Sequence, residues 1–295
     1  MDFGFLTTGL LTGLREGVEA ALIVSIILAY LGRSGHRDSF GPIWIGTAAA
    51  VVLSASIGAL LFTTIRELPS PGEQIFEGLS MVLAAVVVTW MLFWMRRTSA
   101  NIRGELQAGI DRALTGGSVW GLAMLAFVAV IREGIETSLF LLGQVTAAAA
   151  QDSSSSTLVG ALIGILVAVG LGFGFYRGAR VLNLQRFFRW TGVALVFIAA
   201  GLLGRAVHEF IEIGWIGVGT GTAFDISSVL PDSGNGILAG IGQLLRALFG
   251  YTSTPEWATL AIWLGYLVAV LGLYTRPTRP PQPRPFAGSQ PVPGA

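Results

Sequence analysis

The sequence predicts an all-α integral membrane protein with seven transmembrane helices, arranged as an inverted 3+3 helix repeat plus one, N-terminus out and C-terminus in. Three observations carry this expectation. Of 295 residues, 53% are hydrophobic and only 12% are charged, whereas soluble domains average about 25% charged. Seven apolar runs approach the roughly 20 residues needed to cross a bilayer. The pentapeptide Arg-Glu-Gly-Val-Glu at 15–19 recurs as Arg-Glu-Gly-Ile-Glu at 132–136.

The runs are 3–31, 42–65, 74–95, 119–145, 158–176, 190–213 and 257–274. The first reads as a span rather than a removable leader, because it lacks a basic start and carries Arg15 at its middle. Segment 214–256 is too long and Gly-rich for a simple turn, so it is expected to re-enter the membrane or to cap the outer face. From 276 to 295 the chain is Pro-rich and reads as a disordered cytoplasmic tail. Residues 1–275 form one domain: repeat one about 3–95, repeat two about 119–213, outer loop 214–256 and last helix 257–274. A weaker echo links Phe76 onward with Phe188 onward.

Orientation follows from the arginines, which supply all 18 basic residues. With the N-terminus outside, the inner loops hold Arg33, Arg37, Arg96, Arg97, Arg103, Arg112, Arg177, Arg180, Arg186 and Arg189, and the tail adds Arg276, Arg279 and Arg284. The outer segments hold only Arg66 and Arg246. The reverse topology violates the positive-inside rule. Three crossings separate the two copies of the motif, so the halves run in opposite directions. Inverted repeats with a site near the midplane are typical of transporters.

Both motifs fall at the centres of their runs. A charge there costs about 2.5–3.5 kcal/mol on insertion scales, so intramembrane ionisable groups point to function. Positions i, i+1 and i+4 of a helix lie near about 0°, 100° and 40°. Arg15, Glu16 and Glu19 therefore share one flank, as do Arg132, Glu133 and Glu136. Together the flanks offer four carboxylates and two guanidiniums, a formal charge of −2 that a cation would offset. Cysteine is absent, which excludes disulfides, iron–sulfur clusters and thiolate metal sites. Carboxylate oxygens suit hard cations. A buried Arg–Glu network that only pins the helices is the competing reading.

Secondary positions follow the same logic. His208, Glu209 and Glu212 cluster at the outer end of the sixth run, where carboxylates oppose the helix dipole and a cation would relieve them. They form either an outer collecting site or an interfacial cluster. Glu73 suits a helix start, and Glu77 lies a turn deeper and could face the pathway. Asp225 is either a further metal position or a turn residue bonding its own backbone. Met91 and Met95, with Trp90 and Trp94, read as packing and interface anchors rather than ligands.

The sequence resembles the oxidase-dependent iron permeases, and among them the bacterial EfeU-type branch. The two Arg-Glu-x-x-Glu motifs carry the resemblance, with FEGLSMVLAAVVVTWMLFWMRR from Phe76, AVHEF from Ala206, AFDISSVL from Ala223, and FGY followed by AIWLGYL. It covers nearly all of the chain except the tail. It implies a multi-pass protein of the cytoplasmic (inner) cell membrane, importing iron, ferric or ferrous, with high affinity. It also implies that Glu16, Glu19, Glu133 and Glu136 are the iron ligands and that Arg15 and Arg132 support them. Iron is then the transported substrate, and no bound organic cofactor and no nucleic acid are expected. The implied partners are membrane lipid, a periplasmic or extracellular iron-binding protein, and an iron-oxidising or haem peroxidase protein.

Two other classes stay open at this point. One is a carrier of another cation, such as manganese, lead or protons. The other is a membrane-bound metal enzyme. A di-iron carboxylate oxidase would want Glu-x-x-His pairs, which neither motif supplies. His208-Glu209-x-x-Glu212 is not the His-Glu-x-x-His of a zinc protease.

Overall fold

The computed structural model describes residues 2–65, 72–98, 108–110, 112, 119–149, 153–177, 184–234 and 236–275. Among these the architecture is helical, with one isolated β-bridge between Thr222 and Glu256. The helices are α1 (Phe3–Arg33), α2 (Phe40–Ile65), α3 (Gly72–Thr98), α4 (Val119–Ala149), α5 (Ser154–Tyr176), α6 (Leu184–Glu212), α7 (Ile237–Phe249) and α8 (Trp257–Thr275). The proline-rich tail and the loop arginines Arg66, Arg103 and Arg180 lie outside the described residues.

Local chemistry sets the ends of α1. Asp2 caps its start, accepting from the backbone amides of Gly4 at 2.8 Å and Phe5 at 3.2 Å. At its end Gly35 turns left-handed at φ 82°, and the His36 amide reaches back to the Leu31 carbonyl. The helix thus continues past residue 31, because Arg33 extends into the polar zone. Five helices are long and apolar enough to cross a membrane: α2, α3, α5, α6 and α8. The α1 and α4 helices are longer still, 31 residues each, but the three charges at their centres set them apart.

Small residues dictate which helices meet. On α1, Gly9, Gly13 and Gly17 form a GxxxGxxxG stripe. It lies in register against Gly160, Gly164, Ala168 and Gly172 of α5, so closely that backbone touches backbone. Glycine is required here: a Cβ on Gly9, Gly13 or Gly160 would collide with the carbonyl of Thr157, Ala161 or Leu6. On the other side α4 lies along Gly46, Ala50, Ser54 and Gly58 of α2. Gly46 meets Ala123, Gly134 meets Ser54, and Gly58 meets Ser138.

The two sets correspond residue for residue. Gly17 touches Ala168 as Gly134 touches Ser54. Gly172 meets Ala21 as Gly58 meets Ser138, and Gly160 meets Leu6 as Gly46 meets Ala123. Each paired set runs parallel, while α1 and α4 cross antiparallel.

The remaining helices form two apolar clusters. One joins α3, α4, α6 and α8 around Met81, Phe140, Val196 and Ala199. The other joins α1, α2 and α4 around Ile27, Leu31, Ile43, Leu122 and Val130.

Segment 214–256 is neither a simple loop nor a span. Its short helix α7 wedges between the start of α1 and the middle of α6. Gly4 lies against Gln243, Leu244 and Ala247, and Gly250 against Gly201. Gly250 ends α7 at φ 69°. Buried Asp232 ties the segment together by accepting from the amide and hydroxyl of Ser253 at 3.2 and 3.0 Å.

Candidate metal centre

The two motifs meet where α1 crosses α4. Gly17 and Gly134 turn away from this crossing toward Ala168 and Ser54. The glycines hold the backs of the helices against their neighbours, and the glutamates face one another. Glu16, Glu19 and Glu133 each bring a carboxylate oxygen to one place, all within 4.8 Å of each other. Each of these side chains is at least nine-tenths buried.

Arg15 is the inner brace. One guanidinium nitrogen donates to Glu16 Oε1 at 2.5 Å and the other lies 3.1 Å from Glu19 Oε1. Its far side rests on sulfur: the same terminal nitrogen reaches Met91 Sδ at 2.9 Å and Met95 Sδ at 3.2 Å. Thioethers are weak acceptors. The sequence marks these two methionines as packing; in the fold they also orient the guanidinium.

Arg132 departs from the expectation of a buried twin. Its side chain is 41% exposed, against 2% for Arg15. It stacks over the Trp94 ring at 4.1 Å, a contact that suits a planar guanidinium. It lies 2.8 Å from Glu133 Oε1 and 3.4 Å from Glu136 Oε1. The cause is its place on α4, on the outward face shared with Val128 and Ile135, which are themselves exposed.

Several acceptors are left over. Glu16 Oε2, both oxygens of Glu133 and Glu136 Oε2 have no hydrogen-bond partner among the described residues. Arg132 is near Glu133 but off the direction of a hydrogen bond. Buried polar atoms are normally satisfied, and the spare oxygens are the kind of ligands a hard cation takes. Glu136 is buried and borders the group, but lies outside the converging three.

The positions around His208 sort differently. His208 Nδ1 lies 2.7 Å from Glu256 Oε1, and its Nε2 is 3.4 Å from Glu212. Sequence reasoning misses Glu256; an acid just before an apolar run reads as a helix start, and only the fold places it beside His208. Burial alone would raise the Glu256 carboxyl, but hydrogen bonds from Thr259, the backbone and His208 hold it below its usual value. Glu209 is buried, and Glu77 lies within electrostatic reach of it and of Arg205. Asp225 is exposed and bonds its own turn, accepting from the amide and hydroxyl of Ser227 at 2.9 and 2.6 Å; those bonds lower its pKa.

A cavity of about 360 Å³ opens beside this cluster, lined by His208, Glu256, Arg205, Thr8 and Gln144 among others. On α1 it is lined by Phe5 and Thr8, about two helical turns before the motif.

Known proteins share this sequence pattern. The chain is 40% identical over 268 residues to "Ferrous iron permease EfeU" of Escherichia coli O6:K15:H31, covering 90% of this chain and 94% of that one. It is 38% identical over 277 residues to the protein of the same name from Yersinia pestis, covering 93% of each. No solved structure is significantly similar. The sequence profile of the Iron permease FTR1 family matches residues 7–276, which contain both motifs, the five helices long and apolar enough to cross a membrane, and the α7 wedge. With the match running through all of these parts, this all-helical, multi-pass membrane protein belongs to the iron permease FTR1 family.

Proposed function

We propose that the protein is a high-affinity permease that imports iron across the cytoplasmic membrane through the carboxylate site at the α1–α4 crossing. Glu16, Glu19 and Glu133 form the ion site, Glu136 borders it, and Arg15 and Arg132 keep the acids apart. The observation that carries this is the convergence of three buried carboxylates from two separate motifs, with spare oxygens. The relatives named ferrous iron permeases favour the ferrous ion as cargo. His208, Glu212 and Glu256 collect the ion at the outer mouth, with Glu209 and Glu77 below them. A periplasmic iron-binding protein and an iron-oxidising or haem peroxidase partner would deliver to that face.

In this reading α1–α6 and α8 are seven spans, and α1–α3 and α4–α6 are inverted repeats. The residue-for-residue match of the α1–α5 and α2–α4 contacts supports the repeat. The ends of α1 and α5 and the start of α6 bring Arg33, Arg37, Arg177, Arg186 and Arg189 to one side. This supports an N-terminus outside.

Uptake into proteoliposomes tests the reading. Ferrous iron should accumulate saturably and faster than ferric iron, and a tenfold excess of manganese should compete weakly. Equal transport of manganese, or no iron uptake, would refute it.

A further inference from the structure

Gln144 is a buried polar side chain near the end of α4, and the carboxylate site does not use it. It is 3% exposed. Its amide nitrogen donates to Thr12 Oγ1 at 2.7 Å, and Thr12 is fully buried. Its carbonyl oxygen has no hydrogen-bond partner among the described residues, and the side chain lines the 360 Å³ cavity. A buried amide oxygen left unpaired is rare in a folded chain.

Thr12 stands one turn before Glu16 on the same face of α1, since i and i+4 are neighbours on a helix. The Thr12–Gln144 pair therefore separates the outer cavity from the carboxylates. We propose that Gln144, oriented by Thr12, is a transit ligand that takes a partly dehydrated metal cation from the outer cavity and hands it to Glu16. This rests on reading the carboxylate cluster as the ion site.

The chemistry suits a transit ligand. A carbonyl oxygen replaces one water of hydration without adding charge, so the ion is held firmly enough to enter and weakly enough to leave. The cavity's arginines are offset on its walls. Arg246 lies 3.5 Å from Asp232, and Arg205 is within electrostatic reach of Glu77 and Glu209.

The polar pair also has no counterpart on the other side of the site. In the register that matches Gly17 with Gly134, Gln144 corresponds to Ile27 and Thr12 to Ala129. Ile27 belongs to the apolar cluster with Leu31, Ile43, Leu122 and Val130. Among the described residues, the polar pair stands only on the side of the carboxylates that faces the cavity.

The test compares Gln144→Leu, Thr12→Val and the Glu19→Gln plus Glu133→Gln double variant with the parent. Both ferrous uptake in proteoliposomes and equilibrium ferrous binding to purified protein are measured. Gln144→Leu should lower maximal uptake about tenfold or more, as expected for one lost bond to a charged group, while equilibrium binding stays at the parental level. Thr12→Val should lie between. Parental uptake in Gln144→Leu, or loss of binding in step with uptake, overturns the proposal. The double carboxylate variant should lose binding; if it binds and transports normally, the carboxylate reading has failed instead. Should Gln144→Leu not insert, Gln144→Asn withdraws the oxygen by one methylene and must show the same separation of uptake from binding.

Discussion

Arg15 makes four contacts with one guanidinium: one terminal nitrogen meets Glu16, and the other meets Glu19, Met91 and Met95. Only a planar fork reaches all four. An ammonium would keep the charge and lose the geometry, so Glu16 and Glu19 would no longer be held apart. Arg15→Lys should therefore insert normally and lose uptake about ten- to hundredfold, the worth of one charge-assisted bond. Arg132→Lys should do less harm, because Arg132 is half exposed and leans on Trp94. Uptake at matched membrane abundance checks both; equal loss in the two variants would contradict the asymmetry.

Both motifs are legible in the sequence because six charges at the centres of apolar runs cost too much to be incidental. The exposure of Arg132 is not, since its face depends on how α4 meets α3. Glu256, Gln144 and Thr12 escape a reading of the sequence for the same reason. Each looks ordinary in its own segment and gains meaning only from a partner on another helix.

At the scale of the helices, small residues decide the architecture. At Gly9, Gly13, Gly160 and Gly164 the α1–α5 contact is backbone on backbone, with no side chain in between that could yield. Gly13→Leu should cost about 3 kcal/mol or more by overpacking, seen as lost membrane abundance or a lower melting temperature. Gly170→Ala is the control, because a Cβ there meets nothing within 4 Å. If both variants are equally stable, the stripe does not determine the pairing.

The spans themselves are readable to within a few residues, since length and hydropathy define them. Their ends are less so, because helices run on into the polar zone: α4 continues to Ala149 and α6 begins at Leu184. Segment 214–256 is harder. Its α7 helix is only 13 residues long, too short to cross, and apolarity alone does not distinguish a wedge from a re-entrant loop. The glycines that seat it, Gly4, Gly201 and Gly250, lie far apart in sequence.

For the whole molecule, orientation and the proposed import are one question, because a collecting role for the His208 cluster requires that it face outside. The chain has no cysteine, so single introduced thiols report cleanly. Ser155→Cys, at the same end as the His208 cluster, should label from outside. Ser34→Cys, at the end of α1, should label only after permeabilisation. The opposite pattern would reverse the direction of transport.

The most direct measurement is ferrous uptake by the Glu19→Gln plus Glu133→Gln variant in proteoliposomes, at verified insertion and orientation. Each substitution keeps the shape of a site side chain and removes one charge from the converging three. The account predicts uptake at the level of protein-free liposomes, with the fold intact. Parental uptake by that variant would mean that the buried carboxylates pin helices and that iron crosses elsewhere.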